Sequence, residues 1–104
     1  MPLSQLKIKT NVVKRIHKEH ISYQKEAEHQ QKRIDKLIAD GADEADVRKQ
    51  KEVLEETFQM IPDVKKRLAK AYQDLEAQVE NGDNVDANEL QEAQITLSEI
   101  SADV

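Results

Sequence analysis

Residues 47–79 read VRKQKEVLEETFQMIPDVKKRLAKAYQDLEAQV, and within them Val47, Leu54, Ile61, Leu68 and Leu75 recur at a fixed interval of seven. The positions three further on are Gln50, Thr57, Val64, Ala71 and Gln78; those four further on are Lys51, Phe58, Lys65, Tyr72 and Val79. A two-stranded coiled coil needs only a narrow seam, whereas apolar residues in this third row widen the face to what a helix packed against two others requires. The stretch therefore predicts the central helix of an elongated antiparallel three-helix bundle, an all-α fold.

Pro62 lies inside the run. It removes one backbone donor, and its ring presses on the carbonyl of Phe58. The interval of seven nevertheless persists from Leu54 through Ile61 to Leu68, so the same face points inward on both sides of the proline. Pro62 itself falls on the outer side, where a freed carbonyl reaches water and the helix bends around its core. A proline-kinked central helix is the expectation; two helices broken at Pro62 is the alternative, since the residue before a proline disfavours helical geometry.

Working outward, the first helix is expected at about residues 4–39, with Ser4 as N-cap, Leu3 and Ile8 as a hydrophobic staple, and Thr10 as an alternative start. Its seam runs Leu6, Val13, Ile16, His20, Tyr23, Ala27, Ile34 and Leu37, interrupted by Lys9, His20 and Gln30. Buried polar residues of this kind fix register at a cost in packing. Asp40-Gly41 ends the helix, the glycine supplying a left-handed turn. The second helix, about 44–80, starts from Asp43 and stops at Asn81-Gly82. The third, about 87–102, has Asp86 as N-cap, Glu89 three residues on, Val85 placed to staple against Leu90, and a core row of Leu90, Ala93, Leu97, Ile100 and Val104. At 104 residues, one domain covering the whole chain is expected.

Helix lengths then carry an inference about function. Two helices of roughly 35 residues span about 50 Å, and the third covers only about 28 Å of that. It turns back over Tyr72 and Val79 and runs out near Lys65, leaving Phe58 beyond its end with Val53 and Met60 beside it. An exposed apolar strip on so polar a chain marks a protein-binding surface.

Net charge is −5, but its distribution is uneven. Residues 1–38 hold nine Lys and Arg against Glu19, Glu26, Glu28 and Asp35, while from residue 71 onward there is none. The first and third helices lie side by side in the expected bundle, so these charges largely satisfy each other; an acidic partner for the basic row Lys7, Lys14, Arg15 and Lys18 is the functional alternative. A nucleic-acid ligand is disfavoured because the third helix brings acid alongside.

Chemistry finds little purchase. The chain has no cysteine, which removes disulfides and thiolate metal sites and suits an intracellular protein. The start, Met1-Pro2-Leu3-Ser4, opens no apolar run suited to a signal peptide or membrane span. His17 and His20, and Glu26 with His29, have metal-ligand spacing, but no second helix completes either set. His17 and His29 read as solvated and His20 as a seam residue. No catalytic triad, phosphate loop or cofactor motif is evident, so no catalytic, cofactor-binding or metal-binding residue is assigned.

Several segments together resemble one family. Lys7-Ile8-Lys9-Thr10-Asn11-Val12-Val13-Lys14-Arg15, then Tyr23-Gln24-Lys25-Glu26-Ala27, Ile61-Pro62-Asp63, Arg67-Leu68 and Ala71-Tyr72-Gln73-Asp74-Leu75 are similar to the tubulin-binding cofactor A family, also called tubulin-specific chaperone A. Asn11 stands where a glycine is expected. The resemblance implies a cytoplasmic, cytoskeleton-associated chaperone that captures β-tubulin folding intermediates without ATP and passes them to other tubulin cofactors. It supplies no catalytic residues. A monomer is expected, with a self-associating coiled-coil scaffold subunit as the alternative.

Overall fold

The computed structural model describes residues 3–104; Met1 and Pro2, on which the reading of the chain start partly rested, lie outside the described residues. Helix α1 spans Gln5–Ala39, α2 spans Glu44–Asn81 and α3 spans Ala87–Ile100, followed by a short 3-10 turn at Ser101–Asp103. Hydrogen bonds fix their directions. Lys9 of α1 donates to Gln78 of α2, and Gln30 to Gln50, so those two helices run antiparallel; Ser4 donates to Glu89 and Lys7 to Glu92, so α3 runs alongside α1 in the same sense. The radius of gyration is 19.0 Å and the long axis 62 Å. A compact chain of this length has a radius near 13 Å, so the molecule is a rod.

Local chemistry explains the helix ends. The Ser4 hydroxyl accepts from the Lys7 amide at 3.1 Å, and one Asp86 carboxylate oxygen accepts from Asn88 and Glu89. Asp43 does the same for Ala45. At the end of α1 the Ala42 amide donates to Leu37 O and the Gly41 amide to Ile38 O, a paired closure that needs the left-handed φ of 74° found at Gly41. The end of α2 works differently. Gly82 has an ordinary φ of −81° and donates its amide to Gln78 O, and the Gln78 and Val79 carbonyls also accept from the Asn84 side chain.

Helix α2 passes through Pro62 as one α-helix, which rules out the two-helix alternative. The proline is exposed, as its place beside the inward row demands. Leu54, Val64, Leu68, Ala71 and Leu75 are buried, with Val64, Leu68 and Leu75 fully so. The core has two parts. Leu6, Val13 and Ile16 meet Val64, Leu68, Ala71 and Leu75, closed over by Ala93 and Ile100; at the other end of the rod only Ala27, Ile34 and Leu54 come together, with Val47 beside them.

Polar residues in the seam are mostly satisfied. Thr10, Thr57 and Thr96 each donate a hydroxyl to the carbonyl four residues back, and buried Gln30 donates to both the backbone and the side chain of Gln50. His20 is the exception, buried with Nδ1 unpartnered. Thr10 is thus a core residue, not a helix start. The expected staple of Val85 on Leu90 is absent, for Val85 is 91% exposed. Val104 lies past the end of α3 and is exposed, so it does not extend the core row.

Helix α3 is held by charge as well as packing. Glu92 accepts from Lys7 Nζ at 2.8 Å and from Lys14 Nζ, and these two bonds hold its pKa well below the ordinary 4.5, at about 2. Tyr72 donates its hydroxyl to Leu97 O at 3.0 Å, and His17 Nε2 lies 2.6 Å from Asp103. His17 is therefore paired with the far end of the chain and is not a solvated side chain.

Leu68→Ala should destabilise the fold by about 2–5 kcal/mol in urea unfolding, because it empties a fully buried site. Pro62→Ala tests the expected bend: an exposed proline that only bends the helix gives an unchanged or raised urea midpoint, and a sharply lowered one makes the bend a packing requirement. A depressed carboxyl pKa contributes stability above its unfolded value and loses it as pH falls through the folded one. Glu92→Gln should therefore melt at lower urea than the unaltered chain at pH 7, with the gap closing between pH 4.5 and about 2.

Candidate functional site

Because α3 has 14 residues against 35 in α1 and 38 in α2, it covers only one end of the rod. Its last cross-link, from Asp103 to His17, marks the limit. Beyond it α1 and α2 form a two-helix layer with both flanks open.

The flanks can be told apart from their hydrogen bonds. On α2, Tyr72 reaches α3, and Lys65, Phe58 and Lys51 precede it on the same row; Arg67 reaches Glu19 on the opposite flank, and Met60 and Val53 precede it at steps of seven. Five residues along a helix turn it by about 140°. Phe58 therefore does not share a strip with Val53 and Met60. The three are 52%, 41% and 42% exposed, but Phe58 faces the α3 side while the other two face away from it. Position along the rod is legible in the spacing; the split between flanks follows from the heptad register carried out to the surface positions.

On the α3 side, α1 contributes Gln24, Ala27, Glu28 and Gln31 to a shallow groove floored by Ile61 and edged by Phe58 of α2. Glu28 stands two heptads past Lys14, and Gln24 and Gln31 stand one and two heptads past His17. These are the rows with which α1 grips α3 lower down, through Lys14 to Glu92 and His17 to Asp103. The groove is thus the empty continuation of the α3 seat. Sequence spacing located Phe58, but not its partners on α1, because polar glutamines give no signal of their own.

The basic row also divides. Lys7 and Lys14 are committed to Glu92, the contact with Glu92 raising the Lys7 pKa. Arg15 and Lys18 are exposed and, among the described residues, form no ion pair. Lys18 borders an open stretch of α1 that continues through Lys25 to Arg33. On the far flank Arg67 donates to Glu19 at 2.9 Å and also meets Asp63. Among the described residues no group of three or more side chains is placed to hold a metal ion, and no helix is long and apolar enough to cross a membrane.

The family model for tubulin binding cofactor A matches residues 1–97. Human tubulin-specific chaperone A is 43% identical over 92% of this chain and 90% of its own. The crystal structure of tubulin folding cofactor A from Arabidopsis thaliana superposes with a TM-score of 0.85 at 37% identity, covering 93% of this chain and 92% of that one. A solved β-tubulin-binding post-chaperonin cofactor superposes at 0.86 with 27% identity, covering 95% of this chain and 96% of the other. With the sequence matched along nearly its whole length and the three-helix rod matched with it, the chain belongs to the tubulin-binding cofactor A family.

Proposed function

We propose that the protein captures β-tubulin folding intermediates by binding alone, without ATP or catalysis, and releases them to other tubulin cofactors in the cytoplasm. The observation that carries this reading is the open half of the rod, where a half-exposed phenylalanine lies in an unfilled helix seat. A relative of the same fold is itself a β-tubulin-binding post-chaperonin cofactor, which supports both the client and its stage. Binding of this kind works by mass action: it stabilises the bound state of the client in proportion to free chaperone and gives it up when a partner competes. Arg15 and Lys18 supply a positive rim for an acidic client, and rim charges act mainly on the rate of encounter.

Purified chain mixed with β-tubulin released from a chaperonin should retain it on a column without nucleotide; loss of retention in the absence of ATP overturns the proposal. Arg15→Glu with Lys18→Glu should slow capture and flatten its dependence on salt, leaving the urea midpoint unchanged, since neither side chain is engaged within the chain. Lys14→Glu is the wrong probe, because it breaks the contact with Glu92. Alone, the protein should sediment as a monomer with the high frictional ratio of a rod; a concentration-dependent increase in the micromolar range favours the self-associating scaffold reading.

A further inference from the structure

Resting on that reading, we infer that the empty continuation of the α3 seat receives an amphipathic helix of the client, which completes the three-helix section along the open half of the rod. Beyond His17, α1 continues to Ala39, a length of about 33 Å, so the seat takes a helix of up to about 20 residues. What fits it is shown by α3, which presents Leu90, Ala93, Leu97 and Ile100 inward, at helical spacing, to the same two rows.

The charges along the edges differ from those around α3, and they select the occupant. Around α3 the cations are on α1, where Lys7 and Lys14 meet Glu92. In the open half the α1 edge offers Gln24, Glu28 and Gln31, and the α2 edge offers Lys51 and Lys65 around Phe58. Among the described residues Glu28, Lys51 and Lys65 form no ion pair. A matching helix carries acidic residues on the edge facing α2, a basic or amide residue on the edge facing α1, and an apolar stripe between them over Phe58. Helix α3 of a second copy does not meet this pattern, since seated as in its own chain it turns Glu89 and Glu92 toward the α1 edge, where Glu28 would repel them. The client helix therefore belongs to the bound polypeptide and is not an exchanged piece of the chaperone.

The chain contains no cysteine, so single-cysteine variants can be labelled cleanly with a thiol-reactive benzophenone. Gln31→Cys and Gln24→Cys place the label in the groove, and Met60→Cys and Ser22→Cys place it outside. With β-tubulin bound, the groove labels should cross-link to a single amphipathic segment bearing both charge signs, and the outer labels should not. Phe58→Ala combined with Glu28→Lys should weaken β-tubulin binding at least tenfold with an unchanged urea midpoint, while Met60→Ala leaves binding as it was. Equal cross-linking from Met60, cross-links to a second copy of the chain, or unaltered affinity of the groove variant overturns the inference while the chaperone reading stands. Failure of the unaltered chain to bind β-tubulin overturns both.

Discussion

A helix of 14 residues reaches about 21 Å, and the two helices it must cover extend for more than 50 Å, so one end of this rod has a three-sided core and the other a two-sided one. The division of the core follows. Nine buried apolar residues assemble where three helices meet, and three where only two do. The third row of α2 changes character at the same boundary. Tyr72 and Val79 are partly buried under α3, whereas Lys65, Phe58 and Lys51 are exposed. A row that looks like the wide face of a bundle helix along its whole length is core in one half and surface in the other.

Stability is distributed accordingly. Local opening costs least where few apolar contacts must be broken. The open half has Ala27, Ile34 and Leu54 as its buried apolar residues, and relies on Gln30 clasping Gln50 to fix the register of α1 on α2. A buried amide with its bonds made contributes less to stability than to excluding other alignments. Slipping the two helices by one turn would bury the Gln30 amide without a partner. The weak half is therefore held in one alignment with little hydrophobic adhesion, which leaves its outer surface free to be polar at the edges and apolar at one point.

Much of the fold was legible because its signals are local or periodic. The interval of seven identified the inward row of α2, Asp86 and Ser4 identified helix starts through bonds to amides two or three residues away, and Gly41 identified a left-handed turn. Errors arose where the partner is distant in sequence or the signal ambiguous. His17 looks solvated until Asp103 is brought to it across 86 residues, and Thr10 looks like a cap until its hydroxyl is seen turned back to Leu6 O. Val85 has the spacing of a staple, but the linker before α3 carries it into solvent. The candidate surface was half legible. Height along the rod followed from helix lengths, while grouping Val53 and Met60 with Phe58 ignored the rotation between them.

The uneven charge of the chain has a structural use that its total conceals. Helix α3 neutralises α1 only as far as its own acid reaches, engaging Lys7 and Lys14 through Glu92, and the turn after it places Asp103 on His17. Arg15 and Lys18 are exposed, as are Lys25, Lys32, Arg33 and Lys36 further along α1. If α3 were long enough to cover the whole of α1, it would fill the seat beside Phe58 and remove the groove. Shortness of α3 thus produces the groove and its apolar point, which slows release, whereas Arg15 and Lys18 speed encounter from a face of α1 that α3 does not engage even where it lies alongside.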